Sequence, residues 1–321
     1  MYKMYDEWPK IARNTWESDL EVIHFDELNH IVFAGMGGSG AIGEIFASVL
    51  SKSKIHVSVV NGYHLPSTVD SNTLVIPISV SGNTDETLTI LESANLLKCK
   101  IVAFASGGKI QEYCIKNNIK FQQISQDHSP RGSFVRYLYS ILKILQSTLK
   151  IKSSDVNESI KILENMKKNI SSQNLTNSNS AISLAKWISG IPVIYYPWGL
   201  QSAAIRFKNS LNENGKIHVI NEDIVKATHN DIVAWMKKSD VTPIIISGPD
   251  DYYKTKKIWE KFKIFLKEHD ISYYQINTVN GSILTKLTYL IYLCDYASVY
   301  FSVLTETDPS PVEPIKYFKQ K

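Results

Sequence analysis

One stretch decides the fold: Ile31-Val32-Phe33-Ala34-Gly35-Met36-Gly37-Gly38-Ser39-Gly40. Its first four residues form a short apolar run typical of a buried strand, and a helical pattern follows over residues 41–50. A strand, a glycine loop and a helix in this order predict the first βα unit of a parallel sheet. The loop would then lie at the carboxyl end of the strand, where such sheets bind their ligands.

The same alternation continues through the first half of the chain. A helix is predicted after the turn Ser81-Gly82-Asn83, running to about residue 97. Continuous apolar runs separated by helices indicate a parallel sheet with both faces covered. Further strands of this sheet are predicted at residues 55–60, 73–78, 100–105 and 120–124.

The second half repeats the pattern after a helical region (133–170) and a polar, turn-rich connector (171–180). Strands are predicted at residues 191–196, 243–247 and 271–276, and helices at 201–212, 252–268 and 284–304. The predicted fold class is therefore α/β, with two doubly wound parallel-sheet domains joined by helices. We place the N-terminal domain at residues 1–150 and the C-terminal domain at residues 151–321.

Length and composition fit two soluble domains in a reducing compartment. The chain has 321 residues, which is long for one hydrophobic core, and 44% of them are hydrophobic. Its net charge of +4 is small and dispersed, so we predict no binding to nucleic acid. Three cysteines without paired spacing argue against a disulfide framework and favour the cytoplasm.

No membrane association is predicted. The first seven residues lack the basic region and apolar core of a signal peptide. The most apolar stretch, residues 288–304, is interrupted by Asp295 and is too short to span a bilayer. It is predicted to be a buried helix.

The glycine loop by itself allows two interpretations. It satisfies the G-x-G-x-x-G pattern of dinucleotide-binding folds, which also expect an acidic residue at the end of the second strand. That strand ends instead in Val59-Val60-Asn61-Gly62-Tyr63, without an acid. A loop that opens a helix can equally hold a single phosphate or a sugar through its backbone N–H groups.

A second loop favours the phosphate interpretation. Ser79-Val80-Ser81-Gly82-Asn83-Thr84 follows an apolar strand and opens a helix at Asp85. An ordinary helix cap needs one hydroxyl or amide side chain, whereas this loop offers Ser79, Ser81 and Thr84 around a glycine. Three hydroxyls with backbone donors at a helix N-terminus can form a cradle for a phosphomonoester.

These two loops, in this order and spacing, resemble the sugar-isomerase (SIS) domain. The order of all the motifs resembles the bifunctional phosphoglucose/phosphomannose isomerases, best known from archaea, over nearly the whole chain. The resemblance implies that both predicted domains are SIS domains. The further motifs that carry it are Pro130-Arg131-Gly132-Ser133-Phe134, Arg206-Phe207-Lys208 running into Asn212-Glu213-Asn214, Thr228-His229-Asn230-Asp231-Ile232, and Asp308-Pro309-Ser310-Pro311-Val312.

The resemblance implies aldose–ketose isomerisation of glucose 6-phosphate and mannose 6-phosphate with fructose 6-phosphate, through a cis-enediol. Such a reaction needs a base for a proton next to a carbonyl, a positive charge for the developing oxyanion and groups that open the ring. We expect no metal and no nicotinamide or other cofactor. No pair of histidines has a metal-ligand spacing such as H-x-x-x-H.

The resemblance also implies the roles of individual residues. Glu213 would transfer the proton, and His229 would open the sugar ring from the neighbouring subunit of a homodimer. Arg131, whose guanidinium stays charged, would stabilise the enediolate. A lysine near the C-terminus is aligned with Lys319, with Lys316 as the alternative. The phosphorylated hexose would be bound by Gly37, Gly38, Ser39, Ser79, Ser81 and Thr84.

Three other functions stay open on the sequence. The chain could isomerise a different phosphosugar, or it could be a non-catalytic sensor that binds phosphosugars through SIS domains. The 30 residues before the first strand are too few for a helix-turn-helix module, which counts against a DNA-binding regulator. A nicotinamide enzyme that uses the Gly35 loop is the third.

Overall fold

The computed structural model describes residues 1–319, except for the side chains of Lys316 and Lys319. The chain folds into two compact units, Glu7–Ile160 and Met1–Asp6 with Lys161–Lys321. Two helices, α1 (Tyr2–Glu17) and α6 (Ser153–Ile170), contribute residues to both units. The sequence-based boundary after residue 150 stays a prediction.

The unit Glu7–Ile160 contains a five-stranded parallel sheet in the order β2-β1-β3-β4-β5. Its central strands are buried along their whole length, because helices cover both faces. The strands are β1 (His30–Ala34), β2 (His56–Val60), β3 (Thr73–Ser79), β4 (Lys100–Ala105) and β5 (Lys120–Gln123), and the remaining helices are α2 (Gly38–Val49), α3 (Asp85–Leu96), α4 (Gly108–Lys116) and α5 (Phe134–Ile144).

The second unit contains a four-stranded parallel sheet in the order β7-β6-β8-β9, the same order as the first unit without its last edge strand. The strands are β6 (Ile191–Tyr196), β7 (Ile220–Asp223), β8 (Val241–Ser247) and β9 (Tyr274–Asn277). The helices are α7 (Ser180–Trp187), α8 (Gln201–Ser210), α9 (Ile224–Ala227), α10 (Tyr253–Glu268), α11 (Ile283–Leu304) and α12 (Glu313–Lys319). A π-helix (Leu211–Gly215) continues α8, and a 3-10 helix (Asp231–Met236) follows α9.

The predicted α/β class with two parallel sheets is confirmed. Six of the labelled helices and strands were not predicted: α1, α4, α7, α9, α12 and the edge strand β7. Strand β9 begins at Tyr274, three residues later than predicted. Its first predicted residues, from Ile271, precede the paired part of the strand.

Helix α11 corrects one expectation. It has 22 residues and is long and apolar enough to cross a membrane by length and composition, so the argument from its shortness was wrong. The expected buried helix is confirmed, because 83% of its most apolar window is buried inside the protein. Asp295, in the middle of the helix, is 0% exposed. A fully buried carboxylate needs a partner, and Asp295 forms an ion pair with Arg206.

Candidate active site

The two predicted phosphate loops lie side by side at the carboxyl edge of the first sheet. Strands β1 and β3 are neighbours, and Ala34 pairs with Pro77, so the loops that follow them leave the sheet together. A Cβ added at Gly35 would lie 2.9 Å from the carbonyl oxygen of Ile78, and one at Gly40 would lie 2.5 Å from Asn61 Oδ1. Glycine is therefore required where this loop meets its neighbours.

Both loops end in helix N-termini that no side chain caps. Gly37 precedes α2 with φ 54°, and Thr84 precedes α3; neither makes a side-chain hydrogen bond to its helix. The first N–H groups of a helix lack partners within the helix, and they attract anions together with the helix dipole. The two predicted loops therefore present backbone donors at one edge of the sheet, as a phosphate site requires.

The hydroxyl groups of the second loop have different surroundings. Ser79 is buried, its hydroxyl lies 2.8 Å from Thr84 Oγ1, and it accepts a hydrogen bond from the Gly82 N–H at 3.1 Å. Ser81 is half-buried and accepts a hydrogen bond from the Asn83 N–H at 3.3 Å. Ser79 thus holds the shape of the loop. In the first loop, Ser39 is buried and Gly37 is exposed.

Gly82 is the tightest point of the second loop. Its φ is 68°, and an added Cβ would lie 1.7 Å from the carbonyl oxygen of Gly107. The Gly82 carbonyl accepts a hydrogen bond from the Ile110 N–H at 3.0 Å, and Asn83 Oδ1 accepts one from the Lys109 N–H at 3.1 Å. The loop after β3 is therefore supported by the loop that follows β4.

Arg131 is half-buried in the turn that precedes α5. Ser133 fixes this turn, since its hydroxyl donates to the Ser129 carbonyl at 2.9 Å and accepts from the Asp127 N–H at 2.9 Å. One turn into α5, the Tyr137 hydroxyl donates to the Ile124 carbonyl at 2.9 Å and lies 3.5 Å from the carbonyl of Val80. The helix that follows Arg131 thus packs beside the second phosphate loop.

Glu213 lies in the π-helix that continues α8, and its side chain is half-buried. The sequence predicted a helix end at the Asn-Glu-Asn-Gly segment but not a π-helix. Single π-turns inserted into helices occur frequently at functional sites. Gly215 closes the turn against α11, because a Cβ there would lie 2.8 Å from Cδ1 of Phe301.

Lys216 is the residue near Glu213 that sequence reasoning missed. It has a left-handed backbone (φ 56°), and its ammonium donates to the Glu213 carbonyl and, at 2.7 Å, to the Pro311 carbonyl. It therefore joins the π-helix to the Asp308–Val312 motif. The motif spacing carried no signal for this contact, because the two segments are 95 residues apart in the chain.

His229 is exposed in the turn after α9. Asp231, two residues later, accepts a hydrogen bond from the Tyr195 hydroxyl, which in turn accepts one from Trp235 Nε1 at 2.9 Å. Burial and the hydrogen bond to Asp231 raise the pKa of Tyr195, so the phenol stays protonated as a donor. The turn that carries His229 is thereby fixed to the core of the second unit.

The remaining predicted residue is Lys319, the last residue of α12. Its side chain, like that of Lys316, lies outside the described part of the structure. The structure therefore divides the predicted residues between the units. Unit Glu7–Ile160 holds the phosphate loops and Arg131, and the other unit holds Glu213, His229 and Lys319. Among the described residues, no three His, Cys, Asp or Glu side chains are grouped so that they could hold a metal ion.

Comparison with known proteins identifies the family. The SIS domain family model matches residues 24–132, and the model of the bacterial phospho-glucose isomerase C-terminal SIS domain matches residues 177–321. The bifunctional phosphoglucose/phosphomannose isomerase of Thermoplasma acidophilum is 30% identical over 296 residues, which are 91% of this chain and 89% of that protein. The chain belongs to the bifunctional phosphoglucose/phosphomannose isomerase family.

One sequence relative has a different activity, and a solved structure of low sequence identity shares the fold. The D-glucosamine-6-phosphate 4-epimerase of Sulfolobus acidocaldarius is 28% identical to this family member over 251 residues, 77% of each chain. The C-terminal domain of glucosamine-fructose-6-phosphate aminotransferase from Francisella tularensis has the same fold, with a TM-score of 0.70 at 16% identity over 95% of this chain and 96% of that one. By its family membership, the protein is a phosphosugar isomerase of the phosphoglucose/phosphomannose isomerase family. Its two SIS domains bind phosphosugars.

Proposed function

We propose that the protein interconverts glucose 6-phosphate and mannose 6-phosphate with fructose 6-phosphate. The observation that carries this proposal is the pair of adjacent, uncapped helix N-termini with the hydroxyls of Ser39, Ser81 and Thr84. Such a pair suits one phosphomonoester. Family membership supplies the hexose, since the relative from Thermoplasma acidophilum is a phosphoglucose/phosphomannose isomerase.

The proposed reaction moves one proton between C2 and C1 of the open-chain sugar. Glu213 takes the proton from C2 of the aldose, which gives a cis-enediol, and returns it to C1 to form the ketose. Arg131 stabilises the negative charge that develops on oxygen. Rotation of the enediol about its C2–C3 bond would let the proton reach either face of C2 on return, so both aldoses feed one ketose. No electron leaves the substrate, and no cofactor is required.

Further parts of the proposal concern the assembly and the compartment. His229, supplied by the partner subunit of a homodimer, would open the sugar ring, and Lys319 would complete the site. The binding residues are Gly37, Gly38, Ser39, Ser79, Ser81 and Thr84, with Ser79 acting through the loop that it shapes. We place the enzyme in the cytoplasm; its three cysteines are free thiols, which supports a reducing compartment.

A second candidate is isomerisation of another phosphosugar. The relative from Sulfolobus acidocaldarius, a D-glucosamine-6-phosphate 4-epimerase, favours this candidate, because it shares 28% of its residues over 77% of this chain. The proposed phosphate site would serve either substrate, since both carry a 6-phosphate. The two candidates differ in the groups that contact the sugar.

The test is a coupled assay with chelator present, in which glucose 6-phosphate and mannose 6-phosphate are supplied separately and fructose 6-phosphate is detected. Turnover of both supports the proposal. Failure with both, together with turnover of glucosamine 6-phosphate, supports the second candidate. Glu213→Gln should lower kcat by about 10²–10⁴-fold. Glu268→Gln, at the exposed end of α10, is the matched control and should leave kcat unchanged.

A further inference from the structure

One face of the core helix α11 contacts the segment that carries Glu213. Asp295, Ser298 and Phe301 follow one another at intervals of three residues, so they lie along one side of the helix. Each of these three residues contacts a different part of the continuous segment that α8 and the π-helix form. The described contacts lie within one compact unit.

The first contact is a buried ion pair. Asp295 is 0% exposed and Arg206 3% exposed, and Asp295 Oδ2 accepts from Arg206 Nη2 at 2.6 Å and from Nε at 3.0 Å. The other carboxylate oxygen accepts a hydrogen bond from the Ser210 hydroxyl at 2.6 Å. These bonds fix the last two turns of α8, immediately before the π-helix.

The second contact holds the π-helix itself. Asn214 is 0% exposed, and its Nδ2 donates to the Ser298 hydroxyl at 2.8 Å. The Ser298 hydroxyl donates its own proton to the Asp295 carbonyl at 2.7 Å, so it can only accept from Asn214. Among the described residues, Asn214 Oδ1 has no hydrogen-bond partner. The amide next to Glu213 is therefore anchored through one nitrogen to one serine.

The third contact is steric. The ring of Phe301 lies so close to Gly215 that a Cβ there would be 2.8 Å from it. The segment before Glu213 is therefore hydrogen-bonded to Asp295. After Glu213, Asn214 is hydrogen-bonded to Ser298, and Gly215 packs against Phe301. Helix α11 therefore contacts the segment on both sides of Glu213.

We propose that Ser298, supported by Asp295, is a positioning residue that fixes the π-helix and so orients the Glu213 carboxylate. This rests on the proposed function, in which Glu213 transfers the proton. Ser298 acts through Asn214 and does not contact the sugar. Without its hydroxyl the buried Asn214 amide has no partner at either end, and the turn relaxes. The rate of proton transfer depends steeply on such geometry. The proposed phosphate loops are formed by other segments of the chain, so phosphate binding does not depend on this turn.

The experiment compares Ser298→Ala with Ser302→Ala. Ser302 is a matched control, because it lies one turn further along α11, is equally buried and makes the same bond to the carbonyl three residues back (2.7 Å to Val299). Kinetics with glucose 6-phosphate and hydrogen–deuterium exchange of the peptide containing residues 211–216 are measured for both variants. We expect Ser298→Ala to lower kcat by about 10- to 100-fold with KM changed less than about twofold, and to speed exchange in this peptide.

Ser302→Ala should leave kcat and exchange of this peptide at the wild-type level. Equal loss of kcat in both variants, or faster exchange in Ser298→Ala with unchanged kcat, would overturn the positioning role while the proposed function stood. Wild-type protein without turnover of either hexose phosphate would refute the proposed function, and the positioning proposal with it.

Discussion

At the scale of single residues, Gly82 has the most restricted backbone of the proposed phosphate site. Its φ of 68° disfavours any other residue, and an added methyl group would lie 1.7 Å from the Gly107 carbonyl oxygen. We predict that Gly82→Ala displaces the loop from Ser79 to Thr84. The KM for glucose 6-phosphate should rise at least about tenfold. The free energy of unfolding should fall by about 1–3 kcal/mol.

The control for this prediction is Gly62→Ala. Nothing lies within 4 Å of a Cβ added at Gly62, so this variant should keep the wild-type KM and melting temperature. Steady-state kinetics and thermal unfolding distinguish the two. A Gly82→Ala enzyme with wild-type KM would mean that the loop does not bind the phosphate.

Tyr195 is bonded to the segment that follows His229. Its hydroxyl donates to Asp231 and accepts from Trp235 Nε1, and the side chain is 0% exposed. Tyr195→Phe leaves the buried indole N–H of Trp235 without this acceptor, at a cost of about 1–3 kcal/mol. We predict that kcat with glucose 6-phosphate also falls several-fold, because the proposed ring-opening group loses its support.

Tyr300→Phe separates the two effects. It also removes a buried hydroxyl, one that donates to the Ile170 carbonyl at 2.8 Å, but that hydroxyl has no bond to the His229 turn. Its melting temperature should fall comparably while kcat is preserved. If both variants lose the same fraction of kcat, Tyr195 contributes stability alone.

At the scale of elements, the starts of strands β1 and β2 form a pH-sensitive contact. His30 and His56 pair in register, with ring centroids 4.7 Å apart, and Ser58 bonds to both rings. Burial, and the neighbouring His56, hold the pKa of His30 below its ordinary value of 6.5. Asp70 acts in the opposite direction but does not reverse the shift.

The direction of this shift determines the pH dependence of stability. Below pH 6.5 the unfolded chain takes up a proton at residue 30 that the folded chain resists, so the free energy of unfolding falls as the pH is lowered. Well above pH 6.5 the imidazole is neutral in both states, and this contribution is constant. We predict that His30→Gln flattens the decline of stability below pH 6.5, measured by denaturant unfolding at several pH values.

His64→Gln, which removes an exposed histidine from the same unit, should keep the wild-type decline. An unchanged slope in His30→Gln would show that this histidine pair does not sense pH.

The elements also show what the sequence could predict. Central strands such as β4 and β6 were placed to the residue, because each is a continuous apolar run between two helices. The edge strand β7, Ile-Asn-Glu-Asp, was missed because an edge strand with mixed residues carries no apolar signal. The π-helix was missed because its sequence has no local signature, and α11 determines its geometry from a distance.

The same distinction holds for the candidate site. Gly35, Gly40 and Gly82 could be located from sequence, since positive φ or close packing leaves glycine as the residue that fits. The contacts of Lys216 with Pro311 and of Asn214 with Ser298 could not, because they join segments more than 80 residues apart. Sequence motifs therefore suggest the groups proposed for the chemistry, and tertiary contacts show which residues hold those groups in place.

At the scale of the whole molecule, the two units share a strand order but carry different residues of the proposed site. The proposed phosphate-binding residues belong to one compact unit, while Glu213 and His229 belong to the other. The second sheet has Asp250 and Asp251 in the loop after β8, where the first sheet has its hydroxyl-rich loop. Asp250 forms an ion pair with Lys286 at 2.6 Å, so the two sheets present different side chains at this edge.

The proposed dimer leads to a test by subunit complementation. Glu213→Gln and His229→Ala should each be inactive as homodimers. If His229 acts in the partner's site, a mixed dimer of the two variants contains one site with both Glu213 and His229 intact. Random reassociation of equal amounts makes half of the dimers mixed, so about a quarter of the wild-type kcat should return. The measurement is activity after co-refolding of differently tagged variants, with each variant refolded alone as the control.

If His229 instead serves the site of its own subunit, every subunit of the mixture lacks one of the two groups. A mixture that forms dimers but stays inactive would therefore refute the contribution across the interface.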